Sequence, residues 1–160
     1  MEVLRSERNL VIPDINKPLR FGHNMSTHML EIDYIDGEWD RPLISEYHNL
    51  SIDPRNSTLH YAIELFEGKL MFFLMFIYII SLIGMKAYKD KNGQVRLFRP
   101  DMNMKRMNNS AERLCLPNFD CDELLKCLGE LLKLDEAWVP NKMGYSLYIR
   151  PTMISMHVNL

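Results

Sequence analysis

Residues 65–100 read LFEGKLMFFLMFIYIISLIGMKAYKDKNGQVRLFRP, ordinary soluble protein at both ends and nearly pure hydrocarbon in the middle. From Leu70 to Ile83, fourteen residues, only Ser81 interrupts the run. A helix that crosses a bilayer needs about 20 apolar residues, so the run is short for a span. Flanking Lys69 and Lys86 could lengthen it by reaching toward headgroups. The surplus of Lys86, Lys89, Lys91, Arg96 and Arg99 would then set its C-terminal side in the cytoplasm. The alternative is a buried core helix. A helix apolar all round needs cover on every side, and a domain of 160 residues can hardly supply it.

Outward from the run, STLHYAIELFEG (57–68) has a Ser/Thr start, apolar residues at helical spacing and Gly68 at a C-cap, which predicts a complete helix. Extending that helix through the run is the cheapest geometry, because Leu, Met and Phe propagate a nucleated helix. On the other side, MKAYKDKNGQVRLF (85–98) predicts a hairpin with Asn92-Gly93 in a type I′ turn. HMLEIDYID (28–36) alternates as a strand does. The turn-rich DGEWDRP follows, and NLSIDP (49–54) predicts a short strand closed by Pro54. Residues 1–20 predict a polar segment wrapping a surface.

Asp101 starts a helix that stops near Pro117. Asp120-Cys-Asp-Glu123 opens another in capping-box fashion, with Leu124, Leu125, Leu128, Leu131, Leu132 and Trp138 on one face and Pro140 at its end. YSLYIRPTMIS (145–155) predicts a final strand. The order β-β-α-β-β-α-α-β predicts an α+β fold: a mainly antiparallel sheet with flanking helices.

Composition excludes several functions. The 19 basic side chains nearly cancel the 21 acidic ones and form no basic face, which speaks against a nucleic-acid partner. Twelve Met read as gap-fillers in the core and on helix surfaces. Cys115, Cys121 and Cys127 stand six apart with no C-x2-4-C pair, and the five His form no cluster. That pattern predicts free thiols in a reducing compartment and no metal site. MEVLRSERNLVIPD has neither the apolar stretch of a secretory signal nor the composition of a mitochondrial presequence. The cytoplasm is the expected location, with a membrane anchor through 70–83 as the alternative.

Seven stretches carry a more specific likeness: FGHNMSTHML (21–30), HNLSIDP (48–54), LHYAIELFEG (59–68), MKAYKDKNGQVRLFRPDMNMKRM (85–107), SAERLCLPNFD (110–120), LDEAWVP (134–140) and SLYIRPT (146–152). Together they resemble the N-terminal part of the branched-chain amino acid aminotransferases, fold-type IV pyridoxal-phosphate enzymes, over nearly all of Phe21–Thr152. In that family LFEG runs directly into MKAY. Here Lys69–Gly84, sixteen residues, stand between them, so the apolar run reads as an insertion. Gly-Lys is what GGTAAG, a splice-donor-like sequence, encodes, which suggests a retained intron or a gene-model error. The tail ISMHVNL also departs from the family.

The resemblance implies one incomplete unit over 1–160: the small N-terminal domain, interrupted at 69–84, without the large catalytic domain. It implies pyridoxal 5′-phosphate as cofactor, with Arg106 on its phosphate, since a planar guanidinium offers paired, always-charged donors. Lys105 departs from the acidic residue usual before that arginine. Phe21, Tyr61, Phe66 and Tyr148 match aromatic residues lining a pocket for Leu, Ile and Val side chains, and Arg150 matches an arginine beside the substrate. Read without the family, each aromatic is ordinary core packing. Tyr61 is implied to face the site of a partner subunit in a homodimer. The Schiff-base lysine of the family lies downstream in the large domain, so no catalytic residue is assigned here. The expectation is an inactive partial enzyme; the alternative is a membrane-tethered, non-catalytic paralogue anchored by Leu70–Ile83.

Overall fold

The computed structural model describes residues 1–7, 11–17, 19–66, 69–70 and 82–156. In chain order these form β1 (Glu2–Val3), β2 (His28–Glu31), β3 (Tyr34–Ile35), β4 (Glu38–Trp39), β5 (Leu43–Glu46), α1 (Ser57–Tyr61) and β6 (Glu64–Phe66). There follow β7 (Lys69–Leu70), β8 (Leu82–Ile83), β9 (Met85–Lys89), β10 (Val95–Leu97), α2 (Pro100–Arg113), α3 (Cys121–Leu134), β11 (Leu147–Ile149) and β12 (Thr152–Ile154). The α+β class holds, with strands paired mainly antiparallel and helices packed on them. The chain divides into two compact units. One comprises Met1–Leu50, Tyr88–Arg96 and Phe119–Leu147; the other Ser51–Ala87, Leu97–Asn118 and Tyr148–Leu160. A further sheet is ordered β10-β9-β11, with β9 in its centre.

In the first unit β2 pairs antiparallel with β5, His28 opposite Glu46 and Leu30 opposite Ile44. β1 adds to the other edge of β5 in parallel, so the N-terminal segment joins a sheet besides wrapping it. The predicted strand over 28–36 breaks after Glu31. Its second half, β3, turns back on β4 through Asp36 (φ 53) and Gly37 (φ 91), the two left-handed residues a tight hairpin needs. The turn-rich DGEWDRP therefore hides half of a hairpin. NLSIDP, by contrast, forms no strand. The Asn92-Gly93 hairpin is present in another form: only Gly93 has positive φ (+79), and the Asp90 carboxylate accepts the N–H groups of Asn92 and Gln94. It is a three-residue loop closed by a glycine bulge rather than a type I′ turn.

Asp120 caps α3 as predicted, its carboxylate accepting from the N–H groups of Asp122 (2.9 Å) and Glu123 (3.0 Å). The helix buries Leu128 and Leu132 against β2 beside Ile44 and Val139. It ends at Leu134, not at Pro140, because Asp135 leaves the helix to serve β2. The buried Asp135 carboxylate accepts the His28 backbone N–H at 2.9 Å and faces His28 Nδ1 at 2.6 Å. On the far side of the ring, Nε2 accepts the Ser6 N–H at 3.0 Å, so the neutral imidazole carries its proton on Nδ1. A 3-10 turn at Glu136–Trp138 follows, and the Trp138 indole N–H donates to Thr27 Oγ1 at 2.9 Å.

The second unit departs most from the sequence reading. The helix expected over 57–68 stops at Tyr61, where Ala62 turns left-handed (φ 53), and Glu64–Phe66 becomes β6. β12 claims that strand: Thr152 pairs with Phe66, Met153 with Leu65 and Ile154 with Glu64. The predicted strand over 145–155 is thus two, broken at Arg150-Pro151, since proline cannot donate to a ladder. α2 starts at Pro100 rather than Asp101. Its end is a Schellman motif, with Cys115 left-handed (φ 55) and the Leu116 N–H on the Ala111 carbonyl at 2.9 Å. Asn103, Met104, Met107 and Ala111 form its buried face, beside Leu65, Met85 and Ala87. The three cysteines are free.

The apolar run falls largely outside the described residues. Its two ends are described. Lys69 pairs with Ile83 and Leu70 with Leu82, antiparallel, so α1 does not extend into it. Among the described residues no helix is long and apolar enough to cross a membrane.

Removing the Asp135 carboxylate strands two buried donors of His28. Asp135→Ala is expected to cost about 3 kcal/mol, read from the urea midpoint by circular dichroism. A second, exposed histidine has the opposite arrangement: His48 Nδ1 faces the Asn49 carbonyl at 3.0 Å and Nε2 faces Glu31 at 2.9 Å. The Asn49 carbonyl first, and the Glu31 charge second, raise its pKa above the ordinary value. The contribution of this tie is present in full at pH below the unfolded value and is lost as pH rises through the raised folded value. An NMR titration should show His48 losing its proton later than in an unstructured peptide, and Glu31→Gln should bring the midpoint down.

Candidate functional site

In SLYIRPT, Tyr148 and Arg150 are two apart on an extended segment and share a face. Pro151 fixes that geometry by holding Arg150 out of the helical region. The β6–β12 register then brings Phe66 alongside. The Arg150 guanidinium carbon lies 5.2 Å from the Phe66 ring centroid and 5.2 Å from that of Tyr148. A guanidinium over two π faces is held by their quadrupoles. Three of the residues named from sequence therefore meet in one cluster in the second unit.

The other three are placed as follows. Tyr61 ends α1 with 61% of its surface exposed, and its ring centroid lies 6.3 Å from that of His60. Arg106 is half-buried on α2, the helix that packs against β6, and its carbonyl accepts from the Ser110 hydroxyl at 3.0 Å. Phe21 belongs to the first unit, in a turn at 21–23, and is 57% exposed. Core packing does not account for Phe21, Tyr61 or Phe66, the last 52% exposed.

Sequence reading missed the parts that hold this surface. Asn56 is fully buried and caps α1 by accepting the Thr58 N–H at 2.8 Å. The Thr58 hydroxyl reaches the carbonyls of Ile63 (2.8 Å) and Ser155 (3.0 Å), and the Ser57 hydroxyl donates to Ser155 Oγ at 2.8 Å. Ser155 N–H donates to the Ile63 carbonyl at 3.1 Å. The segment just after β12 thus locks the turn between α1 and β6. Partners nearly a hundred positions apart leave no local signal. Asn56 before Ser-Thr was the one readable sign, as an N-cap residue. Among the described residues, no group of three His, Cys, Asp or Glu could hold a metal ion.

The fold places the chain with known architecture. It is similar to the crystal structure of Escherichia coli branched-chain amino acid aminotransferase, with a TM-score of 0.50 at 22% identity, covering 81% of this chain and 35% of that one. The sequence is closer to other relatives. It is 48% identical over 143 residues to the branched-chain-amino-acid aminotransferase of Dictyostelium discoideum, covering 89% of this chain and 34% of that protein. It is 44% identical over 149 residues to the cytosolic enzyme of Saccharomyces cerevisiae, covering 92% of this chain and 35% of the relative. No protein-family model matches the chain. This chain spans about a third of the length of the curated relatives it matches. What these matches support is a fragment of a fold-type IV branched-chain-amino-acid aminotransferase, with an α+β fold consistent with part of such an enzyme.

Arg150 is exposed and lies over two rings. Arg150→Ala should lower stability by no more than about 1 kcal/mol in urea denaturation, the value of an exposed cation–π contact.

Proposed function

We propose that these 160 residues form the small, ligand-facing lobe of a branched-chain amino acid aminotransferase, interrupted by an apolar insertion at 69–84, and do not turn over substrate by themselves. The observation that carries this reading is the 44–48% identity to aminotransferases over nine-tenths of the chain, but over only a third of theirs. In the whole enzyme the reaction would move an amino group from Leu, Ile or Val to 2-oxoglutarate.

In this reading Phe21, Tyr61, Phe66 and Tyr148 offer apolar faces to a branched aliphatic side chain. Arg150 offers its paired N–H edge to a substrate carboxylate. Tyr61 is exposed enough to serve the site of a second copy in a homodimer. Pyridoxal 5′-phosphate, when bound, supplies the electron sink for charge developing at the amino acid Cα. Arg106 fits its phosphate end: a half-buried guanidinium on a helix that packs against the strand of Phe66. The described lysines do not fit its aldehyde end. Lys86 and Lys89 are half-buried on β9, Lys89 with Glu136 at 3.9 Å, and Lys17, Lys91, Lys105, Lys126, Lys133 and Lys142 are exposed. None is a desolvated amine poised as a nucleophile. Relatives of similar identity include cytosolic enzymes in yeast and rat and mitochondrial ones in yeast, rat and cattle; the cytoplasm is the location proposed for this chain.

The insertion reading draws support from the β7–β8 pair. With Lys69 opposite Ile83, the chain returns to where it left, so the host strands on either side need not move. Long apolar windows such as FFLMFIYII also favour aggregation over any role inside a domain of this size.

With leucine, 2-oxoglutarate and added cofactor, the 160-residue polypeptide should give no amino transfer, and borohydride should fix no pyridoxyl group onto it. Turnover above background, or a labelled lysine, would overturn the proposal. Excision of residues 69–84 should raise soluble yield without lowering the urea midpoint. Transcripts spanning codons 68–85 should include a form without the insert; its presence in every message would refute the artefact reading.

A further inference from the structure

We infer that Gly84 is a positioning residue for the Phe66–Tyr148–Arg150 cluster. That the cluster is a substrate surface rests on the proposed function; the positioning does not.

A glycine is required either where the backbone turns left-handed or where another group comes too close for a Cβ. Gly22, Gly37, Gly93 and Gly144 are of the first kind: φ lies between +77° and +91°, and nothing stands within 4 Å of an added Cβ. Gly84 is the reverse. Its φ is not left-handed, so the backbone would accept any L-residue. An added Cβ would instead land within the Tyr148 ring, overlapping Cε2, Cζ and Oη.

The ring sits there for a reason. Gly84 leads directly into β9, whose Met85 and Ala87 are fully buried, and Tyr148 lies on β11, the neighbouring strand of the same sheet. An aromatic ring laid over a glycine on the adjacent strand covers backbone that would otherwise be bare. The same Tyr148 ring supports Arg150, which also lies over Phe66. A side chain at 84 would push the Tyr148 ring away, and the guanidinium would lose one of its two supports.

The test uses the full chain without ligand, so failure of the aminotransferase reading leaves its outcome interpretable. Gly84→Ala should move the Tyr148 ring resonances and the Arg150 Nε–H cross-peak in NMR spectra, and lower the folding equilibrium constant on the order of ten-fold. In the double variant Gly84→Ala/Tyr148→Ala the penalty should vanish, giving the urea midpoint of Tyr148→Ala alone. Unmoved signals in Gly84→Ala, or additive losses in the double variant, would each overturn the inference. Should Gly84→Ala fail to fold, the double variant decides: recovery of folding supports the inference, and continued failure overturns it.

Discussion

Residues 63–66 can satisfy their backbone groups either by continuing α1 or by pairing across to another strand, and the rest of the second unit depends on that choice. Pairing prevails because the competing helix is closed off at several points. Ala62 is left-handed, a conformation that costs a non-glycine residue roughly 1 kcal/mol. The Ile63 carbonyl, which a longer helix would need, is already taken by the Thr58 hydroxyl and the Ser155 N–H. β12 then supplies a full set of ladder partners to β6. The consequence is local and chemical. Were 57–68 one helix, Phe66 would face α1's own neighbours, and Arg150 would have one ring beneath it instead of two.

Two histidine–carboxylate pairs in the first unit show how context reverses the meaning of one residue type. His28 is buried, with a carboxylate on Nδ1 and a backbone donor on Nε2, an arrangement that fits the neutral ring and ties the N-terminal segment to β2. His48 is exposed, with acceptors at both nitrogens, which fits the charged ring. Neither pair was visible in the sequence, where the five histidines look scattered. His28 and Asp135 are 107 positions apart and meet only because α3 packs on β2.

What was legible followed the strength of local signals. Asp120 with Glu123 three residues on announced the start of α3, and its leucine stripe announced the buried face. The glycine of Asn92-Gly93 announced a reversal but not its type, since the side chain of Asp90 reorganises the loop. The stretch 57–68 was misjudged because its apolar spacing suits a helix and a short strand alike, and a partner almost ninety residues downstream arbitrates. Among the site residues, Phe66, Tyr148 and Arg150 were named from family likeness and meet in space. Gly84, which they depend on for room, was read merely as the end of the apolar run.

The narrow neck formed by β7 and β8 has a use beyond the sequence that now fills it. Neighbouring strands lie about 5 Å apart, so the two sides of the neck are fixed at that spacing whatever lies beyond them. A small domain whose own termini are adjacent could be spliced in there in place of the hydrocarbon, giving a reporter whose signal follows the integrity of the lobe that carries it.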